Sequence, residues 1–264
     1  MSGNDAFELV TGNSWTRGFN NMLRSGLARW FKTRTWWVQC LIWGGVVGGI
    51  TSAVAFSSPP PPLIELIMLF TVFVGLFPAV GVVIIMQDAL VGEKQEGTAA
   101  WVLSKPVARP AFVLSKVVSN SVGILTTMVI VPCAITYAIF TLVQKSAPDP
   151  VGYLAAMGVI FISHFFFLSL ALMLGALVNN RAAVIAIPLA ILFLQQNLIQ
   201  FLPLLRFVLP WNLVIPLGDT NSLAVSLILR TSLQRDHLTL LVITLLECLL
   251  FLVIAVWRFN REEF

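Results

Sequence analysis

The stretch from Asp88 to Lys116 reads DALVGEKQEGTAAWVLSKPVARPAFVLSK, and it holds seven of the chain's 16 basic and 12 acidic residues. It lies between two apolar runs, Leu63–Met86 and Val117–Val143. Each run is longer than the about 20 residues that a helix needs to cross a bilayer. A charged, turn-rich insert between two such spans must lie at a membrane surface, where a soluble partner can reach it. This stretch therefore predicts a membrane fold and marks a candidate docking site.

The composition also indicates a membrane protein. Of the 264 residues, 58% are hydrophobic and 11% are charged, whereas an ordinary soluble domain carries about 25% charged residues. The net charge of +4 does not indicate nucleic-acid binding, because the basic residues cluster beside the apolar runs. Cys40, Cys133 and Cys248 lie inside apolar runs and show neither metal-ligand nor disulfide spacing.

Six apolar segments are long enough to be membrane spans. They are Trp36–Phe56, Leu63–Met86, Val117–Val143, Val151–Val178, Ala183–Leu202 and Leu238–Trp257. Pro78 and Pro132 interrupt the second and third, which membrane helices tolerate when neighbouring groups satisfy the freed carbonyls. We therefore divide the chain into an N-terminal segment, residues 1–35, a transmembrane domain, residues 36–257, and a C-terminal tail, residues 258–264. The domain includes the loop 87–116 and an outer region, residues 203–237.

The orientation follows from the distribution of lysine and arginine, which favour the cytoplasmic side. If the N-terminus is cytoplasmic, twelve basic residues lie inside and four lie outside. The inner set is Arg17, Arg24, Arg29, Lys32, Arg34, Lys94, Lys105, Arg109, Lys116, Arg181, Arg258 and Arg261; the outer set is Lys145, Arg206, Arg230 and Arg235. We therefore expect a multi-pass protein of the inner (plasma) membrane, with both termini and the 87–116 loop in the cytoplasm.

The segment before the first span has an apolar stripe at helical spacing with a basic opposite side. The stripe is Phe19, Met22, Leu23, Gly26, Leu27 and Trp30, and Arg24, Ser25, Ala28 and Lys32 fall opposite. This pattern predicts an amphipathic helix in the inner membrane interface. The alternative is a basic cluster that only sets the topology.

The outer region, residues 203–237, is long and substantially apolar. We expect one or two short or re-entrant helices there, with one helix from Thr220 to Arg230. The alternative, a seventh broken span, conflicts with a cytoplasmic C-terminus. The first outer connection is short and holds four consecutive prolines, Pro59 to Pro62.

The sequence offers little support for catalysis. It contains no Gly-x-x-x-x-Gly-Lys-Ser/Thr phosphate loop, no His-Glu-x-x-His metal pair and no Gly-x-Ser-x-Gly nucleophile elbow. We therefore expect a non-catalytic chain that binds neither ATP nor a metal by itself.

Polar residues inside the spans are candidates for a substrate path. The outer half of the fifth span carries Gln195, Gln196, Asn197 and Gln200. These amides cannot all face lipid, because an unsatisfied amide in hydrocarbon is costly. They line a path or a partner subunit, or they form hydrogen bonds between helices.

Glu247 lies near the middle of the sixth span, and His164 has a similar depth in the fourth. Ionisable groups at that depth are functional candidates. For Glu247 the alternatives are a polar cavity and a structural, hydrogen-bonded carboxyl. For His164, within Ser-His-Phe-Phe-Phe, aromatic packing is favoured.

The 87–116 loop has an internal pattern of its own. Gly92 permits a bend, and Glu93 to Glu96 can start a short helix whose first-turn carboxylates suit a helix N-terminus. The following apolar residues, 99–103, would rest on the inner membrane surface. Lys105 ends that segment, because the residue before a proline disfavours helix.

The loop also resembles a known family. Its matching residues are Glu93, Glu96, Gly97, Thr98, Leu103, Pro106, Val107, Arg109, Phe112 and Lys116. They resemble the pattern Glu-x-x-Glu/Arg-Gly-Thr, then Leu, Pro-Val-x-Arg and Lys, of permease subunits of type-2 ABC exporters, which share the fold of the G-type lipid and drug exporters. The resemblance covers nearly the whole chain, although many members have a large first outer domain that is short here.

The resemblance implies a coupling helix between the second and third spans, docked on a separate ATP-binding subunit present in two copies. ATP and Mg²⁺ would bind in those partners. It also implies a homo- or heterodimer of permeases whose second and fifth spans line the path. The expected coupling residues are Glu93, Lys94, Glu96, Gly97, Thr98 and Arg109, and the expected path residues are Gln195, Gln196, Asn197 and Glu247.

We thus predict an all-α polytopic membrane protein with six transmembrane helices. Its predicted function is the permease subunit of an ATP-driven exporter of an amphipathic lipid, peptide or drug. The alternative is a stand-alone channel or proton-coupled carrier that uses Glu247 and the polar face of the fifth span. An intramembrane enzyme is disfavoured by the missing motifs.

Overall fold

The structure is a computed structural model that describes residues 15–144, 147–218 and 220–262, with side chains for all of these except Gln144. Residues 1–14 of the predicted N-terminal segment, Lys145 of the outer basic set and the last two residues of the tail lie outside the described residues.

The described residues are predominantly helical and contain no strand. The helices are α1 (Phe19–Phe31), α2 (Thr35–Ala55), α3 (Leu63–Gln95), α4 (Thr98–Leu103), α5 (Arg109–Val143), α6 (Pro150–Leu177), α7 (Arg181–Phe201), α8 (Trp211–Val214), α9 (Leu223–Leu229) and α10 (Arg235–Asn260). A 3₁₀ turn at Pro203–Phe207 follows α7. Within the described ranges, six helices are long and apolar enough to cross a membrane: α2, α3, α5, α6, α7 and α10. The predicted all-α membrane fold with six spans is confirmed.

The two prolines that interrupt the predicted second and third spans do not break their helices. Pro78 lies within α3, and the backbone stays helical on both sides of it. In α5 the helix widens to a π-type turn at Leu125–Ile130, just before Pro132. Because proline lacks an N–H group and crowds the preceding turn, a local change of helical pitch there is expected. Both spans are therefore continuous.

The fourth span, α6, is the centre of the bundle. It is 67% buried over its most apolar window, whereas the corresponding windows of α7 and α10 are 28% and 22% buried. α10 packs along α6 and α5, and α3 packs on another side of α6. Large apolar faces of α7 and α10 are therefore not covered by any other part of the chain that the structure describes.

The 87–116 loop differs from the prediction in its helix boundaries. α3 continues through Gly92, which keeps helical φ and ψ of −59° and −49°, so the expected bend at this residue is wrong. The chain reverses instead at Gly97, whose φ of +72° is a left-handed conformation that glycine adopts without strain. Glu93 to Gln95 therefore form the last turn of α3, and the separate short helix is α4, Thr98–Leu103.

α5 also begins earlier than predicted, at Arg109 rather than at Val117. The residue after Arg109 is Pro110, and proline suits the first turn of a helix because its missing N–H has no partner there in any case. We call the end of the bundle that carries the 87–116 loop the loop end.

The outer region forms short helices, as predicted, and the helix expected from Thr220 to Arg230 is observed as α9. α8 and α9 pack against α6, and the side chains of Trp211, Leu213 and Val225 are buried. A Cβ added at Gly75 would lie 3.0 Å from Ile215. Gly75 follows the start of α3 by twelve residues, or about 18 Å along a helix axis. This region therefore reaches well into the bundle.

The predicted helix before the first span is observed as α1, and it packs along α5, a contact that the sequence pattern does not predict. A Cβ at Gly26 would lie 2.5 Å from Ser119 Oγ, so only glycine permits this approach. The indole of Trp30 rests on Gly123, and its Nε1 donates a hydrogen bond to Asn120 Oδ1 over 3.0 Å. The basic side chains of Arg24 and Lys32 are exposed.

Candidate docking site and substrate path

The short helix α4 packs one face against the protein, and its other face is uncovered by the described residues. Ala99 is fully buried, whereas Thr98 and Trp101 are exposed, and 63% of the Trp101 surface is accessible. The ammonium of Lys105 lies 3.7 Å from the centre of the Trp101 ring, a cation–π contact. An exposed tryptophan with a fixed cation is a typical anchor for a protein partner.

Glu93, at the end of α3, points toward α5. Its carboxylate forms an ion pair with the ammonium of Lys116, and both side chains are mostly buried. Lys116 is one of the residues of the family-like pattern, so the sequence shows both partners but not their pairing. This ion pair joins the two helices that flank the loop.

Lys94 lies at the centre of a second polar cluster. Its Nζ donates to Glu262 Oε2 at 2.9 Å, to Asn179 Oδ1 at 3.0 Å and to the carbonyl oxygen of Ala176 at 3.3 Å. The neighbouring Gln95 donates from Nε2 to the carbonyl of Asn179 at 2.7 Å. The three N–H donors of one ammonium thus connect α3 to the end of α6 and to the residues that follow α10.

Arg181, the first residue of α7, connects the fifth span to the same end of α3. Its guanidinium lies 3.5 Å from Asp88 Oδ1 and 2.8 Å from Glu96 Oε1. All three side chains are partly exposed, so each contact contributes about 1 kcal/mol or less. Their main effect is to orient Glu96 toward α7.

Arg109 also bonds to a neighbouring span. Its Nη1 donates to the carbonyl of Asn260, the last residue of α10, at 2.6 Å. Before it, the N–H of Ala108 donates to the carbonyl of Arg17 at 3.0 Å. The second half of the loop is therefore fixed to the sixth span and to the residues that precede α1.

The structure brings all six predicted coupling residues to the loop end, with different orientations. Glu93, Lys94 and Arg109 bond to neighbouring spans, whereas Gly97 and Thr98 are exposed. Sequence reasoning missed the exposed Trp101 and the distant partners. The exposed face could have been predicted from helical spacing. Thr98, Trp101 and Lys105 recur on one side of the segment, and Ala99 and Val102 lie on the other.

The amides of the fifth span separate into buried and exposed sets. Gln195 is buried, and its Nε2 donates to the carbonyl of Leu192 at 3.2 Å, while its Oε1 is enclosed without a hydrogen bond from a described residue. Gln196, Asn197 and Gln200 lie on the uncovered face of α7. Three of the four amides thus have no helix from the described part of this chain covering them.

Glu247 lies on a different helix from these amides. It is partly buried in α10, and its Oε2 is enclosed without a hydrogen bond from any described residue. Within the described ranges, no hydrogen bond or ion pair joins Glu247 to the amides of α7. His164 is fully buried in α6. No group of three or more His, Cys, Asp or Glu side chains in the described ranges is arranged to hold a metal.

Comparison with known proteins supports this architecture. The family model described as ABC-2 family transporter protein matches residues 25–264, from α1 through the six spans. Among curated proteins, none matches the chain significantly. Members of this family are the membrane permease subunits of ABC transporters, which are not themselves catalytic and work with an ATP-binding partner. The chain, a multi-pass membrane protein, therefore belongs to the ABC-2 family of transporter proteins.

Proposed function

We propose that this chain is the permease subunit of an ATP-driven exporter and that its ATP-binding partners dock on the exposed face of α4. The observation that carries the proposal is the combination of an exposed Trp101 with a loop fixed to several spans. Glu93 pairs with α5, and Lys94 bonds to the ends of α6 and α10. A displacement of α4 by a partner would therefore move these spans together.

The chemistry of ATP belongs to the partners in this proposal. ATP and Mg²⁺ bind there, in two copies of the subunit, and this chain supplies the docking surface and the path. A basic count of twelve inside against four outside supports a cytoplasmic loop end and cytoplasmic termini in the inner (plasma) membrane. A cysteine introduced at Ser104 should then react with a membrane-impermeant thiol reagent only from the inside. Labelling from the outside would overturn this orientation.

Copurification of the ATP-binding subunit tests the docking site. Trp101→Ala should weaken its binding about tenfold or more, because an exposed aromatic anchor removed from an interface costs about 2 kcal/mol. The matched control is Trp257→Ala. Trp257 is 51% exposed and also carries a cation, Arg261, 4.4 Å from its ring centre, but it lies on α10. Equal binding by the two variants would overturn the assignment of α4 as the docking surface.

The uncovered face of α7 supports a second permease copy or subunit beside it. Gln196 and Asn197 are exposed there together with Phe193 and Phe201. Amides among aromatic and aliphatic side chains suit an amphipathic substrate such as a lipid, peptide or drug. We propose that this face lines the path between two permeases, formed by two copies of this chain or by this chain and a related one.

The buried and exposed amides provide the test of that path. Replacing Gln196 and Asn197 by Leu should change transport and leave the unfolding transition in detergent unchanged. Gln195→Leu should change unfolding instead, because Gln195 is buried and its Nε2 donates to the carbonyl of Leu192 in its own helix. If transport by the Gln196→Leu, Asn197→Leu variant equals that of the wild type, the path does not lie at this face.

A proton-coupled carrier is the second candidate, and one observation favours it. Glu247 Oε2 is enclosed in a span without a hydrogen-bond donor from a described residue. A carrier would move substrate in vesicles that lack the ATP-binding subunit, and Glu247→Gln would abolish that movement. Transport that requires ATP and the partner, and that survives Glu247→Gln, supports the exporter.

A further inference from the structure

A cavity of about 260 Å³ lies at the loop end, outside the docking face of α4. It is surrounded by the C-terminal part of α1, the start of α2, residues 84, 85 and 87–89 of α3, and residues 116 and 120 of α5. Its lining combines three charged side chains, Arg29, Asp88 and Lys116, with the apolar Trp30 and Ile84. The proposed transport function assigns no role to this cavity.

The polar wall of the cavity offers more donors than the protein itself uses. Arg29 is exposed and forms no ion pair with another described residue. Lys116 gives one of its three N–H donors to Glu93, which leaves two. The Gln87 side chain also lines the wall, and no hydrogen bond is found for it among the described residues. A guanidinium, an ammonium and an amide are the groups that bind phosphate oxygens.

The acidic side of the cavity wall offers a hydrogen-bond acceptor instead of donors. Asp88 is its only carboxylate among the described residues, and Arg181 lies 3.5 Å from Asp88 Oδ1, so its charge is partly balanced from outside the cavity. Asp88 accepts no hydrogen bond at Oδ1 from a described residue. A ligand that brings its own N–H or O–H donors would find an acceptor here.

The apolar part of the lining places the cavity at the membrane boundary. Ile84 at the rim is about half exposed, and it belongs to the apolar run of α3. Trp36 and Trp37, which follow the lining residue Thr35, are exposed at the start of α2, where aromatic side chains occupy the membrane interface. A ligand with a charged end in the cavity could therefore extend an apolar tail along Ile84.

We propose that this cavity binds the headgroup of a phospholipid from the leaflet next to the loop end. The phosphodiester lies against Arg29, Lys116 and Gln87, and the donor-bearing end of the headgroup, such as an ethanolamine ammonium, lies at Asp88. The two ends of the headgroup thus meet groups of opposite charge. Phosphocholine fits less well, because its quaternary ammonium carries no N–H donor for the Asp88 carboxylate.

Native mass spectrometry of the full chain in mild detergent tests this site. The probes are phosphatidylethanolamine and phosphatidylcholine with identical acyl chains, which are both zwitterions and differ in their N–H donors. We expect one phosphatidylethanolamine to be retained per chain, several-fold more often than phosphatidylcholine. Arg29→Gln should reduce this retention about tenfold, as expected for loss of one charge-assisted hydrogen bond.

Two variants and a soluble probe separate the proposal from its alternatives. Arg24→Gln removes the same charge from the same helix but outside the cavity, and it should leave retention unchanged. Arg29→Lys, which keeps the cation, should restore most of the retention and so separates a charge effect from a folding defect. The proposal is overturned if Arg29→Gln and Arg24→Gln behave alike or if the two lipids are retained equally. Equally tight binding of glycerophosphoethanolamine, which has no acyl chains, would indicate a site for soluble phosphoesters and would also overturn it.

Discussion

Lys94 and Glu262 are 168 positions apart in the chain, and the Nζ of Lys94 lies 2.9 Å from Oε2 of Glu262. Their side chains are 7% and 13% exposed. A salt bridge in such a setting has lost most of its hydration, so either partner is costly to remove. The pair fixes the residues after α10 against the last turn of α3.

Lys94→Met should lower the free energy of unfolding by about 2 kcal/mol. Breaking a fully buried pair costs about 3 kcal/mol or more, and the residual exposure of Glu262 reduces that cost. Chemical denaturation in detergent measures the change. The control is Arg206→Met, because the Arg206–Asp236 pair is 51% and 55% exposed and should contribute less than about 1 kcal/mol. Equal losses in the two variants would contradict a special role for Lys94.

Glu93 and Glu96 should respond differently to removal of their charge. Glu93→Gln should lower the free energy of unfolding by about 2 kcal/mol, because Lys116 is then left mostly buried without its partner. Glu96→Gln should change it by less than about 1 kcal/mol, because the pair with Arg181 is exposed. Denaturation of both variants, with copurification of the ATP-binding subunit, gives the comparison. A larger loss of stability in Glu96→Gln than in Glu93→Gln would show that the Glu93–Lys116 pair does not stabilise the fold.

Gly123→Ala should displace α1 from α5. A Cβ at this position would lie 2.2 Å from the indole of Trp30, so the helix or the ring must move. Such overpacking costs roughly 2 kcal/mol, and limited proteolysis between α1 and α2 should become faster. Gly158→Ala on α6 is the control, because a Cβ added there would meet no atom of the described residues within 4 Å outside its own helix backbone. Resistance to proteolysis equal to that of Gly158→Ala would contradict the close packing of α1.

Asp149 lies at the end of the bundle opposite the loop end. It should make part of the chain's stability depend on pH. The N–H of Gly152, 2.6 Å from Oδ2, and then the guanidinium of Arg230, 2.7 Å from Oδ1, lower the pKa of the Asp149 carboxyl below its ordinary value of 3.8. Its contribution to stability is therefore fully present above that value. It is lost as the pH falls through the lower pKa of the folded state.

Asp149→Asn tests this contribution, because an amide oxygen still accepts the Gly152 N–H but does not titrate. Thermal unfolding from neutral to acidic pH should show a smaller acid-induced decline in the variant than in the wild type. Arg235→Gln serves as the control and should keep the wild-type decline, because Arg235 is exposed and forms no ion pair within the described part of the chain. Identical declines in all three proteins would exclude Asp149 as a source of the effect.

The positions of the spans are predictable because each span is an apolar run long enough to cross a bilayer. The first predicted span, Trp36–Phe56, is observed as Thr35–Ala55, and the fourth, Val151–Val178, is observed as Pro150–Leu177. The errors occur where a helix leaves the apolar run. The sequence predicts a bend at Gly92, but Gly92 stays helical and the left-handed residue that ends α3 is Gly97.

The candidate docking site is predictable as a segment but not as a surface. A charged loop between two apolar runs must be at the membrane surface, so its residues can be named from the sequence. Which of them face outward depends on partners at distant positions. Lys94 bonds to Asn179 and Glu262, and no local periodicity records such pairings.

The sequence by itself determined the class of fold, the six spans and the loop between the second and third, because hydrocarbon requires every backbone polar group to be satisfied within a helix. Only the tertiary structure decided that Glu93 and Lys94 hold the bundle together while Trp101 remains exposed. It also decided that Arg29 and Lys116 line the same cavity. These arrangements arise because helices that are distant in the chain pack together and place their charged side chains next to one another.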